Sequence, residues 1–143
     1  MTVAQALKQK NKLAVELKKQ YEIAKNYNSI ELGNPRRYSV QDALDKAAEL
    51  TVQLIQLKTK IHLANAPVYS EIFRMAELKG RIKELRKIPT NEGKQEGRYG
   101  SPASEKEVEI NIAEVDKMIQ TLEGTIEEIQ AVLDAHNATT NID

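Results

Sequence analysis

The sequence contains no cysteine and no tryptophan, one phenylalanine and four prolines in 143 residues. Without cysteine there are no disulfides, no thiolate metal sites and no thiol nucleophile. With aromatics at 4%, stacking platforms for bases or sugars are scarce. Net charge is also missing: 21 Lys plus Arg balance 21 Asp plus Glu. A dedicated nucleic-acid binder carries a basic footprint, so no nucleic-acid partner is expected. No stretch approaches the roughly 18 apolar residues of a membrane span. The opening residues Met1-Thr2-Val3-Ala4-Gln5-Ala6-Leu7-Lys8 turn charged before any signal-peptide core could form. A cytoplasmic location is therefore expected. What remains is 41% hydrophobic and 29% charged residues, the balance of a folded chain of one-domain size.

Those hydrophobic residues recur with helical spacing. Thr2 and Gln5 form a capping-box pair ahead of a breaker-free stretch to about Tyr27. Val3, Leu7, Ala14, Leu17, Tyr21 and Ala24 give its expected seam, interrupted at Lys10, with Leu13 and Ile23 beside it. Gly33-Asn34-Pro35 ends that region. Ser39 then opens a second helix. Its seam, Val40, Ala43, Ala47, Leu50, Leu54, Leu57, Ile61 and Ala64, alternates steps of three and four in a heptad pattern. A third, shorter helix carries Ile72, Met75, Leu78, Ile82 and Leu85, weakened by Gly80 and stopped by Pro89. A fourth starts at Asn111 with the seam Ile112, Val115, Ile119, Leu122, Ile126, Ile129, Leu133 and His136. The spacing predicts helices over about 3–27, 40–65, 70–88 and 112–136, in a single domain over 1–143. Residues 89–110 are rich in glycine and proline and predict a long loop, with a short extended piece at Val108–Ile110. The fold expected is all-α: an up-down-up-down four-helix bundle with coiled-coil-like packing and a long loop before the last helix. Its core would include Leu17, Leu50, Leu54, Leu57, Ile61, Met75, Ile82, Leu122, Ile126 and Ile129.

Several of these stretches resemble a known family. They are Ala4-Gln5-Ala6-Leu7 in a basic first helix, Lys60-Ile61-His62-Leu63-Ala64-Asn65 closing the second, Arg98-Tyr99 in the late loop, and Asn137-Ala138-Thr139-Thr140 after the last. Together they are similar to the bacterial septicolysin-like proteins, small all-helical chains known mainly as a domain of unknown function. The segment after Asn65 is shorter here, and Ala138 stands where an aromatic is common in that family. The resemblance implies a helical fold and transfers no catalytic residue.

The residues themselves offer little catalytic chemistry. A bundle di-metal site uses Glu-x-x-His, yet Thr59 stands three before His62 and Leu133 three before His136. No metal site and no cofactor are expected. Ser101 and Ser104 have no nearby histidine in sequence, and Gly93, Gly97 and Gly100 match no phosphate-cradling fingerprint. Their expected role is to permit turns. No enzyme is expected. His62 and His136 read as helix-end residues favoured by the helix dipole, or as a pH-sensitive contact.

Two Arg-aromatic pairs in breaker-rich segments, Arg37-Tyr38 and Arg98-Tyr99, are the candidate interface residues. Arg and Tyr are favoured anchors of interfaces, although hot spots are a minority of surface residues and a Tyr over a bundle end with a solvated Arg is the favoured explanation. The charge is unevenly spread. Helices 1 and 3 are basic and helix 4 is acidic, which suits pairing of helices or subunits by sign. The expected function is that of a self-associating interaction or structural protein, most simply a homodimer. The alternative is a membrane- or lipid-surface-active protein, suggested by the Lys-rich first helix and by the family's cytolysin-like name; an amphipathic Lys-bearing helix can bind such a surface.

Overall fold

A computed structural model describes residues 1–143. The chain is 69% helical, with four helices and one small antiparallel sheet. The helices are α1 (Val3–Tyr27), α2 (Val40–Ala64), α3 (Tyr69–Leu85) and α4 (Ile112–Thr139). The strands are β1 (Gly93–Gln95) and β2 (Ser104–Lys106). Two compact units emerge: Met1–Val68 with Asp134–Asp143, and Tyr69–Leu133.

In the first unit the ends of the helices are fixed by short polar side chains. Thr2 Oγ1 accepts from the Gln5 amide at 3.2 Å, and the Thr2 amide donates to Gln5 Oε1 at 2.9 Å, completing the capping box. Ser39 Oγ accepts from the Asp42 amide at 3.2 Å at the start of α2. Arg36 closes the far end of α1. Its Nη1 donates to the Tyr27 carbonyl at 2.8 Å and its Nη2 to the Asn28 carbonyl at 3.1 Å, satisfying oxygens that the helix end leaves unpaired.

The α1 seam differs from the expected one. Ala6 and Leu13 are buried, whereas Ala14 and Tyr21 are exposed. The side turned inward runs 3, 6, 10, 13, 17, 20, 24, 27, an unbroken three-four alternation with Lys10 and Gln20 on it, both half-buried. Long polar side chains can lay their stems along an apolar surface and keep their heads in water, so Lys10 need not interrupt the seam. The α2 seam is close to expectation. Ala43, Ala47, Leu50 and Ile61 are buried, while Leu54 and Leu57 are half-buried. Alanines at 43 and 47 allow the two backbones to approach closely there.

The tail after α4 is structural. Val3 N donates to the Thr140 carbonyl at 2.8 Å and Ile142 N to the Met1 carbonyl at 3.1 Å, and Thr2 pairs antiparallel with Asn141. Ile142 joins Val3, Ala6 and Ile61 in a buried cluster. No helical period marks this segment, so pattern reading passes over it.

In the second unit α3 and α4 share a core of Ile82, Val115, Ile119 and Leu122, flanked by Leu78, Leu85, Ile110 and Ile126. Arg86 on basic α3 meets Glu123 on acidic α4 at 3.2 Å, as the charge pattern suggests. Asn111 Oδ1 accepts from the Glu114 amide at 2.9 Å and caps α4. Ile112, expected on the seam, is 53% exposed at the first turn. The extended piece lies elsewhere than expected: Val108–Ile110 is not a strand, and the sheet is a hairpin within residues 93–106. Its turn chemistry, more than apolar alternation, specifies it.

Two substitutions test this packing. Ile142→Ala should cost about 2–4 kcal/mol in a denaturant melt, since it removes buried methyl groups. Leu54→Ala, at a half-buried site, should cost less than Leu50→Ala, at a buried one. An Ile142→Ala protein as stable as the parent would mean that the tail does not hold the helix ends together.

Candidate interaction surface

Helix α2 is apolar on two sides. At about 100° per residue, its α1-facing residues Ala43, Ala47, Leu50, Leu54, Leu57 and Ile61 fall within about 80° of arc. A second set, Leu44, Ala48, Val52, Ile55, Thr59 and Leu63, falls within about 100° of arc, centred about 150° away. None of the six is charged, and all are exposed; Gln41, Asp45 and His62 share the arc toward the helix ends. Leu44, Val52, Ile55 and Leu63 are exposed by 41%, 54%, 60% and 68%. Isolated surface hydrophobes are ordinary, but a continuous uncharged row along most of a 25-residue helix is a patch of the kind that marks interaction sites.

The two sequence-derived anchor pairs fall in different units. Arg37 and Tyr38 lie in the link between α1 and α2. Tyr38 leans on Tyr27 with ring centroids 4.6 Å apart and planes tilted by 53°. It stays 46% exposed, so it packs over a helix end and still shows a face to solvent. Both residues line an open cleft with Asn28, Arg36, Gln41 and Leu44. Leu44 is also the first residue of the uncovered row, so Arg37 and Tyr38 adjoin it. At the other end of the row, Leu63 lines a second cleft with Lys60, Asn141 and Asp143.

Arg98 and Tyr99 occupy the tip of the β1–β2 hairpin. The register pairs Gly93 with Lys106, Lys94 with Glu105 and Gln95 with Ser104. Continued inward, it leaves Tyr99 and Gly100 as the two central residues. Both have positive φ, 53° and 77°, and the Ser101 amide donates to the Arg98 carbonyl at 3.0 Å. Two positive φ values under such a bond make a type I′ turn, the two-residue turn that suits strand twist. Glycine or asparagine is the usual first central residue, and a tyrosine there carries a conformational cost. Its side chain is fully exposed. A Cβ on Gly97 would overlap the Ser101 carbonyl, so the approach of the two strands requires glycine at that position.

Other candidate chemistry is placed as follows. His136 lies in the last turn of α4, with Nε2 3.2 Å from Asn65 Oδ1 and Nδ1 3.1 Å from Thr140 Oγ1. Nε2–H donating to the amide and Nδ1 accepting from the hydroxyl satisfies both nitrogens. This histidine joins the end of α2 to the terminal tail. His62 is exposed on α2. Ser101 and Ser104 belong to the hairpin. No group of three or more His, Cys, Asp or Glu side chains converges in a way that could hold a metal ion. No helix is long and apolar enough to cross a membrane.

The sequence reading missed the α2 row and the capping role of Arg36. The row was legible in principle as a second three-four alternation, masked by the stronger seam beside it.

The hairpin gives two opposed expectations. Tyr99→Gly should relieve the turn and raise hairpin stability by about 1 kcal/mol. Gly97→Ala should open it. Amide exchange at Ser101 should slow in the first variant and quicken in the second, with helical circular dichroism unchanged. The same change in both would contradict the turn assignment.

Compared with known protein families, curated proteins and solved structures, the chain matches none of them.

Proposed function

We propose that this protein is a helical interaction module that self-associates through the uncovered side of α2. The observation that carries the proposal is the uncharged row Leu44, Ala48, Val52, Ile55, Thr59 and Leu63, exposed along α2. A helix apolar on nearly opposite sides needs two partners, and within its own unit α1 supplies one. Fully removing a Val, Leu or Ile side chain from water yields about 1.5–3 kcal/mol. Four partly exposed side chains from each of two copies give a gain of the same order as the roughly 4–15 kcal/mol cost of association. Pairing in the micromolar range takes a net gain of about 8 kcal/mol, so residues beside the row must add to it.

Arg37 and Tyr38 adjoin the row and extend it; Arg98 and Tyr99 offer a second anchor on the hairpin tip. The similarity to septicolysin-like proteins, the up-down-up-down bundle with coiled-coil-like packing and a cytoplasmic location belong to the same proposal. Lipid-surface activity has less support. Its suggested vehicle, α1, turns Val3, Ala6 and Leu13 into the protein, and beside its exposed lysines only Val15 and Tyr21 remain as exposed large hydrophobic residues.

Light scattering at micromolar concentration should give twice the chain's 16.1 kDa. Ile55→Glu should return the mass to that of one chain with its helical spectrum intact. Because the contact is apolar at its centre, the dimer should persist at high salt and assemble more slowly. A single-chain mass for the parent protein at every salt concentration contradicts the proposal.

A further inference from the structure

We infer that two copies pair antiparallel through α2 about a two-fold axis between Val52 and Ile55, with Lys60 of each copy seated between Asp45 and Glu49 of the other. The inference rests on the self-association proposed above and specifies its geometry. Its first support is the order of side-chain sizes in the row. Antiparallel pairing centred between Val52 and Ile55 sets Leu44 opposite Leu63, Ala48 opposite Thr59 and Val52 opposite Ile55. Read in either direction, the row runs large, small, large, large, small, large. A row that meets itself reversed across a two-fold axis must match itself in this way.

The second support is charge. The first half of α2 carries Asp42, Asp45 and Glu49 against Lys46. Residues 50–57 carry no charge, and beyond them come Lys58 and Lys60 with no acid. Acid early and base late also suits the helix dipole, but that effect fades within the first and last turns. Asp45, Glu49, Lys58 and Lys60 all lie further in than that.

Position around the helix adds a constraint. Asp45, Glu49 and Lys60 project from the same flank of the row, within about 60° of one another. An antiparallel two-fold pair places like flanks against each other. In this register Lys60 comes level with position 47 of the other copy, midway between Asp45 and Glu49. Parallel pairing in register would instead set Lys60 level with Lys60, and Asp45 with Asp45.

The three side chains are held ready rather than consumed within the chain. Gln41 Nε2 donates to Asp45 Oδ1 at 2.9 Å, and Lys46 stands 3.7 Å from Glu49 across an exposed i,i+3 step. Exposed pairs of that kind are weak and readily exchanged. Lys60 is exposed and makes no ion pair within the chain.

The test uses two full-length variants, Lys60→Glu and Asp45→Lys with Glu49→Lys. Each alone sets like charges against each other at both symmetric positions, and its dimer should weaken about tenfold or more. Mixed in equal amounts, they should form dimers containing one chain of each kind, because both symmetric positions then hold opposite charges. Native mass spectrometry distinguishes the mixed dimer from the two self-pairs. Lys60→Gln, which leaves α2 free of new charge, should weaken the parent dimer to a lesser degree, and circular dichroism checks that each variant folds. A parent dimer whose strength none of the variants changes, or variants that weaken without preferring each other, would overturn this register while leaving self-association standing. A monomeric parent would overturn both.

Discussion

The structure depends on α2 having to satisfy apolar side chains on two nearly opposite sides. One side is met within the chain. Ala43 and Ala47 bring α1 close, Leu50 and Ile61 fill the seam, and the terminal tail closes the end through Ile142. The other side, from Leu44 to Leu63, is exposed. Heptad packing of one helix pair buries a narrow stripe on each member, so a wider apolar helix keeps surface in reserve. The central segment of α2, residues 50–57, is uncharged all round, which suits a helix packed from more than one direction.

The polar chemistry of the protein is mostly structural. Thr2, Ser39, Asn111 and Arg36 satisfy helix ends. His136 ties the end of α2 to the tail through Asn65 and Thr140. No side-chain nitrogen or oxygen is buried without a hydrogen-bond partner. Where polar groups serve the fold in this way, the features left over are surfaces: the α2 row, the Tyr38 cleft and the Tyr99 tip. The last stands out because an unfavourable backbone conformation holds a large side chain fully in solvent. A glycine would make that turn more cheaply.

Much of this was legible in the sequence. The four helices fall within a few residues of their expected bounds, because capping pairs and breakers mark their ends and heptad spacing marks their seams. The expected and observed α1 sides share positions 3, 10, 17 and 24 and differ elsewhere, because apolar Leu7, Ala14 and Tyr21 offer as regular a row as Ala6, Leu13 and the half-buried Gln20 that turn inward. The third helix ends at Leu85 rather than 88, with Pro89 following a short turn. Residues 89–110 held a hairpin that apolar alternation could not reveal, since β2 is Ser-Glu-Lys and the residues that favour the turn are Gly97 and Gly100. The tail was invisible because a short extended segment pairing with the chain's other end has no local signature. Of the candidate residues, Tyr38 packs on Tyr27 over a helix end and keeps an exposed face.

The central claim is that the outward row of α2 is an interface in solution. A chain without cysteine allows a direct measurement, since a single introduced thiol is then the only one that reacts. Cysteine placed at Ile55, on the row, should be modified more slowly as protein concentration rises through the micromolar range. Cysteine placed at Gln53, exposed about 160° away around the helix, should be modified at a constant rate. A rate at position 55 that does not change with concentration would contradict the account.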